Sequence, residues 1–212
     1  MHLYGKLDES AVEALVDIAG SDSVSTHIED LYGYSYDSTI FRHMPDLVVR
    51  PGTTEEVSRI LKLANERWIP VTVRGAGTSA AGSPLPVKGG IVMDMTRMNK
   101  IMAIDTENLI VIVECGVICD FLNEELAGYG FFFPPDPASG IAYTVGGMVA
   151  NNASGNRALK YGTTKDHVLW LEVVLPTGEI IHTGSKTLKS VSGYDLTRLM
   201  IGSEGSLGVI TK

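Results

Sequence analysis

The sequence VRGAGTS, residues 73–79, decides the fold, because a strand pattern ends there in closely spaced glycines. Val71 to Val73 is a short β-branched run that is typical of a strand. Gly75, Gly77 and Ala80 then satisfy the G-x-G-x-x-A spacing with which a nucleotide-binding turn leads into a helix. The glycines therefore predict a phosphate-binding turn, and the residues after them decide its type.

The segment after these glycines cannot form the helix that a Rossmann dinucleotide site requires. Asp94 lies close to the spacing of the acidic residue that meets a ribose in that fold. Residues that disfavour a helix, through backbone freedom or a missing N–H group, interrupt the stretch between: Gly82, Pro84, Pro86, Gly89 and Gly90. We therefore expect residues 74–79 to form a helix-free loop whose bare N–H groups, with Arg74 beside them, bind a pyrophosphate.

Composition predicts a globular domain and excludes several classes of protein. The 212 residues are 44% hydrophobic and 20% charged with a net charge of −8, so a sizeable core is available and nucleic acid is not expected as a partner. No stretch reaches the roughly 18 apolar residues of a membrane span.

Cys115 and Cys119 lack zinc or redox spacing, so we expect reduced, buried thiols. The five histidines show no metal-ligand spacing, and no metal site is expected.

Hydrophobic patterning predicts a mixture of helices, strands and one hairpin. Helices are expected at 8–19, 53–64, 117–126 and 195–201, and strands at 47–49, 71–74, 91–95, 101–104, 109–113, 168–175, 179–182 and 207–211. Residues 21–46 carry no clear period. We expect an N-terminal helical entry segment, 1–44, ahead of a main domain, 45–212. The mixture favours an α+β fold of two lobes over a doubly wound parallel sheet.

Two further glycine-rich segments follow, and each alone has an ordinary structural explanation. Residues 134–155 combine a proline-rich turn with the sequence TVGGMVANNASG, and residues 202–211 read GSEGSLGVIT. Taken alone, the first would suit the close-packed start of a helix, and the second would suit a plain β-turn. The order of all three segments along the chain is more informative than any one of them.

In that order, the three segments resemble the FAD-binding domain of the vanillyl-alcohol-oxidase-type, or p-cresol-methylhydroxylase-type, flavoproteins. The likeness is greatest to FAD-linked D-lactate dehydrogenases and to the D subunit of glycolate oxidase. It runs from about Tyr34 to Lys212 and includes PDLVVRP at 45–51, KYGT at 160–163 and SGYDL at 192–196. The resemblance implies an α+β, two-lobed FAD-binding domain and not a Rossmann fold. It also implies an FAD-dependent dehydrogenase or oxidase that passes hydride from a small 2-hydroxy acid to the flavin.

The resemblance further implies which residues bind FAD. The first loop wraps the pyrophosphate, the second segment approaches the flavin ring, where a Cβ would collide with it, and the third lines the adenosine side. The residues carried over are Arg74, Gly75, Ala76, Gly77, Thr78, Ser79, Pro137, Ala138, Ser139, Gly146, Gly147, Asn152, Ala153, Gly155, Glu204, Gly205, Val209 and Ile210. Some relatives attach the flavin through a histidine in the first loop. Thr78 stands at that position here, so non-covalent FAD is expected.

The resemblance places the rest of the enzyme outside this sequence. The sequence stops within the strand pattern at 207–211, which favours part of a longer protein. In the family the catalytic base, the carboxylate-binding cation and the metal ligands come largely from a C-terminal substrate domain, so no catalytic residue and little turnover are expected within 1–212. The electron acceptor is unknown. We expect a cytoplasmic protein that forms a homodimer or is a subunit of a complex, with peripheral docking to the inner face of a membrane as an alternative.

Two other functions share this fold. One is a non-catalytic FAD-binding module or subunit of a larger oxidoreductase assembly. The other is a flavin reductase of the cell-wall sugar type, which would use NADPH and a nucleotide sugar. The blocks between residues 192 and 211 argue against the second.

Overall fold

The computed structural model describes residues 4–137 and 142–212, which form two compact units. The first comprises Met1–Arg97 and Val174–Ile180, and the second Met98–Val173 and Ile181–Lys212. Both units mix helices with strands. The α+β, two-lobed fold expected from the sequence is therefore confirmed.

The first unit is built on a four-stranded sheet. Its strands are β1 (Val24–Ser25), β2 (Leu47–Val49), β3 (Val71–Arg74) and β4 (Ile91–Asp94), in the order β1-β2-β4-β3. β2 and β3 run parallel to the central β4, and β1 is antiparallel to β2. β2 and β4 are buried along their whole length, which explains why their sequences are unbroken apolar runs with no alternation.

Three helices accompany this sheet: α1 (Glu9–Ala19), α2 (Ile28–Gly33) and α3 (Thr54–Glu66). The capping residues predicted for α3 are present. The Thr53 side chain accepts from Glu56 N at 3.1 Å, and Glu56 Oε2 accepts from Gly52 N at 2.8 Å. The carboxylate thus reaches one residue further back than in a standard capping box. The predicted apolar face of α3 is buried at Val57, Ile60, Leu61 and Ala64.

The second unit contains an antiparallel pair, β5 (Ile101–Asp105) and β6 (Ile110–Val113), and most of a three-stranded sheet. That sheet has the order β8-β7-β9, with β7 at Trp170–Val174, β8 at Ile180–Gly184 and β9 at Val209–Ile210. Its helices are α4 (Cys119–Ala127), α5 (Val145–Asn151), α6 (Ala158–Tyr161) and α7 (Leu196–Met200). Leu122 and Leu126 of α4 pack against apolar side chains of β5 and β6 and form the core.

The structure contains regular elements where the sequence showed no period. Residues 21–46 include β1 and α2, which are two and six residues long and therefore too short to display a period.

Cys115 and Cys119 are buried thiols with no disulfide between them, as expected. Burial is the main reason that the pKa of Cys119 rises to about 11. In the described ranges, no helix combines the length and the apolar character that a membrane crossing demands.

Candidate functional site

The glycine loop of the first unit has the helix-free form expected from the sequence. β3 ends at Arg74, and residues 75–79 continue without a helix. Gly77 has φ +73°, a backbone conformation that glycine adopts without strain. A Cβ at this position would also collide with the Arg74 guanidinium. The loop therefore requires glycine at position 77 for two separate reasons.

The loop directs carbonyl groups towards the protein and leaves its amides unbound. Ser38 donates twice to it, from N to Ser79 O at 3.1 Å and from Oγ to Thr78 O at 3.3 Å. Within residues 4–137 and 142–212, the N–H groups of residues 75–79 donate to no protein acceptor. Backbone amides rarely remain unpaired unless water or a ligand takes them up. A run of such amides at one turn is suited to the oxygens of an anion.

Arg74 adds a buried positive charge beside the amides. The residue is only 6% exposed, and its Nη1 has no hydrogen-bond partner among the described residues. Burial lowers the pKa of Arg74, and the negative charge of Asp94 opposes that shift. An arginine in a protein nevertheless stays protonated. A buried cationic donor without a partner costs free energy, and an anion at the loop would offset that cost.

Tyr34 and Asp94 lie next to this arginine. The Tyr34 hydroxyl donates to Asp94 Oδ2 at 2.7 Å, and Thr96 N donates to Asp94 Oδ1 at 2.9 Å. Asp94 is the register partner of Arg74 on the neighbouring strand, and the Arg74 guanidinium carbon lies 5.6 Å from the centre of the Tyr34 ring. Burial is the main cause that raises the pKa of Tyr34, and the hydrogen bond to Asp94 is the second. The Tyr34 hydroxyl therefore keeps its proton and remains a donor.

We call residues 34–38 the brace, because Tyr34 and Ser38 at its two ends both support the glycine loop. Asp37, between them, is buried, and its charge also favours the charged form of Arg74. Sequence reasoning missed the brace. Its contacts with Asp94 and Thr78 span 60 and 40 residues, so no short-range pattern could reveal them.

In the second unit, several of the predicted site residues surround α5. Thr144 Oγ1 caps this helix by accepting from Gly147 N at 3.2 Å, and Gly146 N donates to Cys115 O at 2.7 Å. A Cβ at Gly146 would collide with Cys115, and one at Gly155 would collide with the Asp136 carbonyl. The expected reason for these two glycines was a collision with the flavin ring. That reason is not needed, because contact with the protein itself already excludes a side chain.

Asn152 and Ala153 connect the end of α5 to the residues that follow α6. Asn152 has φ +46°, and its Oδ1 accepts from Thr163 Oγ1 at 3.2 Å and from Lys165 N at 3.0 Å. Ala153 O accepts from Thr164 N at 3.1 Å and from Thr164 Oγ1 at 2.7 Å. These hydrogen bonds give Asn152 and Ala153 a structural role. Contact with a ligand is therefore not needed to explain why these two residues stand at these positions.

The third glycine-rich segment also begins beside α5. Glu204 N donates to Ala150 O at 3.0 Å, and Glu204 itself is exposed with φ +50°. Val209 and Ile210 are 2% and 9% exposed, because β9 lies inside the unit. Gly205 and Pro137 are half-buried, whereas Ala138 and Ser139 lie outside the described residues. Of the residues expected on the adenosine side, Glu204 and Gly205 are therefore the more accessible.

The comparison with known families decides what kind of domain this is. Residues 45–184 match the family model described as an FAD binding domain. The chain belongs to this family. The match includes the whole glycine loop and α5, so the cofactor expected from the sequence is confirmed as FAD. In the described parts of this FAD-binding domain, no three His, Cys, Asp or Glu residues form a group that could hold a metal ion.

Similar sequences carry the names of a glycolate oxidase subunit and of D-lactate dehydrogenases. The chain is 44% identical over 201 residues to the glycolate oxidase subunit GlcD of Bacillus subtilis (strain 168), covering 94% of this chain and 43% of that one. It is 45% identical over 212 residues to the mitochondrial D-lactate dehydrogenase [cytochrome] of Arabidopsis thaliana, covering 99% and 37%. The FAD-binding domain thus spans about two fifths of the length of these curated relatives.

Solved structures confirm the type of fold. Alkyldihydroxyacetonephosphate synthase aligns with a TM-score of 0.85 and 26% identity, over 98% of this chain and 38% of that one. p-Cresol methylhydroxylase with substrate bound aligns with a TM-score of 0.80 and 25% identity, over 95% and 41%. The p-cresol-methylhydroxylase-type fold expected from the sequence is therefore confirmed for this FAD-binding domain.

Proposed function

We propose that this chain is the FAD-binding part of a flavin-dependent dehydrogenase or oxidase that acts on a small 2-hydroxy acid, such as D-lactate or glycolate. The observation that carries the proposal is 41–45% identity, over 94–99% of the chain, to a glycolate oxidase subunit and two D-lactate dehydrogenases. Because the chain spans about two fifths of those relatives, the activity is proposed for the whole protein that contains it.

The residues of the first unit fit the diphosphate of FAD. Five amides without acceptors, at residues 75–79, match the need of phosphate oxygens for donors. The unpaired Nη1 of Arg74 supplies a cation beside them, in a place too buried for free exchange with water. In this proposal residues 74–79 bind the diphosphate, and the brace keeps their amides turned towards it.

FAD, when bound, supplies the chemistry by accepting hydride from the carbinol carbon of the substrate. The task of this chain is to hold and orient the cofactor. The remaining proposed contacts to FAD lie in the second unit or outside the described residues: Pro137, Ala138, Ser139, Gly146, Gly147, Asn152, Ala153, Gly155, Glu204, Gly205, Val209 and Ile210. The proposed cofactor is non-covalent, because the side chain of Thr78 offers a hydroxyl where a covalent link needs an imidazole.

Anaerobic reduction of the flavin tests the substrate class. The protein that contains this chain is loaded with FAD and mixed with D-lactate or glycolate, with L-lactate as the control. The proposal predicts that the visible flavin absorbance bleaches with D-lactate or glycolate and remains with L-lactate. Bound FAD that neither acid bleaches would overturn the substrate assignment, and failure to bind FAD at all would overturn the flavin site.

A second candidate function is an FAD-binding subunit that does not catalyse alone. It is favoured by the name of the Bacillus subtilis relative, which is called a subunit. The two candidates differ in the behaviour of residues 1–212 on their own. Turnover of D-lactate by this chain with a dye as electron acceptor would reject the non-catalytic subunit.

A further inference from the structure

Two buried, charged side chains beside the glycine loop each have one atom without a hydrogen-bond partner. They are Asp37 of the brace, which is 7% exposed, and Arg74 at the end of β3, which is 6% exposed. Among the described residues, Asp37 Oδ2 and Arg74 Nη1 are the two buried side-chain oxygen and nitrogen atoms that lack a partner. Buried polar atoms are nearly always hydrogen-bonded in folded proteins. These two atoms therefore need polar groups that this part of the chain does not supply.

The Asp37 carboxylate is held through one oxygen and presents the other as an acceptor. Its Oδ1 accepts from Thr39 N at 2.8 Å and from Thr39 Oγ1 at 2.6 Å. These two bonds fix the orientation of the carboxylate from one side. A buried, charged acceptor without a donor costs free energy, and a ligand that donates to Oδ2 would offset that cost.

The other hydroxyl groups of the brace already have acceptors. The Tyr34 hydroxyl donates to Asp94 Oδ2 at 2.7 Å. The Ser38 hydroxyl donates to Thr78 O at 3.3 Å. Each of these bonds supports the glycine loop, so neither hydroxyl serves as the donor for Asp37 without loss of that support.

Arg74 carries the complementary donor but makes no hydrogen bond to Asp37. The negative charge of Asp37 favours the charged form of Arg74, so the two groups interact electrostatically. A direct hydrogen bond would satisfy both Asp37 Oδ2 and Arg74 Nη1, and neither atom makes one. An acceptor and a donor of opposite charge thus lie beside the same loop, both suited to a third group.

The chemical group that suits both atoms is a hydroxyl. A hydroxyl donates one hydrogen bond and also accepts, whereas an ionised phosphate oxygen only accepts and an ammonium only donates. A phosphate would also be repelled by the charge of Asp37. FAD has hydroxyls on both sides of its diphosphate, on the ribityl chain and on the adenosine ribose. Either sugar therefore brings a hydroxyl close to a loop that binds the diphosphate.

We propose that Asp37 and Arg74 form a subsite for one sugar hydroxyl of the cofactor, which donates to Asp37 Oδ2 and accepts from Arg74 Nη1. The inference rests on the proposed function, in which residues 75–79 bind the diphosphate. Arginine has five N–H donors, so this use of Nη1 leaves others for phosphate oxygens. Asp37 is then a specificity-determining residue. It favours a diphosphate that carries a sugar over inorganic pyrophosphate, which has no hydroxyl for Oδ2 and is repelled by the carboxylate.

The test compares the binding of FAD, ADP and inorganic pyrophosphate to the flavin-free protein that contains this chain and to its Asp37→Asn variant. Asparagine keeps an oxygen that accepts from Thr39 and loses the negative charge. We expect the Kd for FAD to rise at least about tenfold, because a hydrogen bond to a charged acceptor is lost. The Kd for pyrophosphate should fall at least about twofold, because a repulsion is removed. Isothermal titration measures all three Kd values.

Asp17→Asn is the matched control, because it removes the same charge from an exposed position in α1. It should leave the Kd values for FAD, ADP and pyrophosphate unchanged. ADP distinguishes the two sugars, since it has the ribose and no ribityl chain. A higher Kd for both FAD and ADP in Asp37→Asn assigns the hydroxyl to the ribose, and a higher Kd for FAD alone assigns it to the ribityl chain.

The sign of the change with pyrophosphate separates the subsite from a structural role. Weaker binding of FAD without weaker binding of pyrophosphate supports the subsite. If Asp37→Asn weakens pyrophosphate as much as FAD, the residue only maintains the loop and the inference is wrong. It is also wrong if the unmodified protein binds FAD and the variant binds it equally well. Failure of the unmodified protein to bind FAD would instead overturn the proposed function, and this inference with it.

Discussion

The Tyr34 hydroxyl donates to Asp94 Oδ2 at 2.7 Å, and this bond connects the brace to the strand beside Arg74. Asp94 is 5% exposed and is the register partner of the buried Arg74, whose guanidinium lies over the half-buried Tyr34 ring, so the three side chains form one network of a hydrogen bond, a cation–ring contact and opposite charges. A buried network of polar side chains holds those side chains in position most firmly when each of them has its hydrogen-bond partners. We therefore expect the position of Arg74 beside the glycine loop to depend on a tyrosine 40 residues earlier in the sequence.

Replacement of Tyr34 by phenylalanine tests this dependence. Tyr34→Phe removes a donor from Asp94 Oδ2 inside the protein, which we expect to cost about 1–3 kcal/mol of unfolding free energy. Because Arg74 then has more freedom to move, the Kd for FAD should rise roughly three- to tenfold. Isothermal titration with FAD and urea unfolding measure the two effects.

The control for this prediction is Tyr32→Phe, since Tyr32 is 62% exposed. It should leave both the stability and the FAD affinity unchanged. If Tyr34→Phe lowers stability but leaves the Kd for FAD at the value of the unmodified chain, the network has no part in cofactor binding.

A second prediction concerns the glycine of the loop. Gly77→Ala adds a Cβ at φ +73°, where the backbone strain costs about 1–2 kcal/mol, and that Cβ collides with the Arg74 guanidinium. We expect FAD binding to weaken by at least about tenfold, which corresponds to about 1.4 kcal/mol. Flavin fluorescence quenching on titration measures the loss.

Gly20→Ala provides the matched control, because Gly20 has φ +86° and nothing lies within 4 Å of its added Cβ. This variant incurs the backbone strain alone and should bind FAD normally. Equal FAD affinity in the two variants would show that the contact between Gly77 and Arg74 does not shape the loop.

A third prediction follows from the buried thiol in α4. Burial raises the pKa of Cys119 from 9.0 to about 11, so the folded chain keeps a proton that the unfolded chain loses within that window. The stabilising contribution is complete below pH 9 and disappears as the pH rises through about 11. Unfolding free energy should hence fall more steeply between pH 9 and 11 in the unmodified chain than in Cys119→Ala. Parallel curves would mean that the thiol titrates normally.

A fourth prediction concerns the attachment of the cofactor. Acid precipitation of the FAD-loaded protein should leave a colourless pellet and all of the flavin in solution, because Thr78 offers no imidazole for a covalent bond. The absorbance spectrum of the supernatant measures the recovered FAD. A pellet that stays yellow after washing would contradict non-covalent binding.

The sequence predicted those features of the fold that depend on neighbouring residues. The helix-free loop after Arg74 followed from prolines and glycines nearby, and α3 followed from its cap and apolar spacing. The pairing of Tyr34 with Asp94 could not be predicted, because it depends on the sheet order that brings β4 beside β3. The sequence also could not predict why glycine is required at positions 146 and 155. The residues that exclude a side chain there, Cys115 and Asp136, come close only through tertiary packing.

The central claim is that the free amides of residues 75–79 bind the diphosphate of FAD, and amide nuclear magnetic resonance tests it most directly. The isotope-labelled chain is titrated with FAD, and the amide signals of 75–79 are followed beside that of Gly20. The account predicts that the signals of 75–79 move downfield together and saturate with the bound flavin, while Gly20 stays in place. Saturating flavin binding with the amide signals of 75–79 unmoved would contradict it.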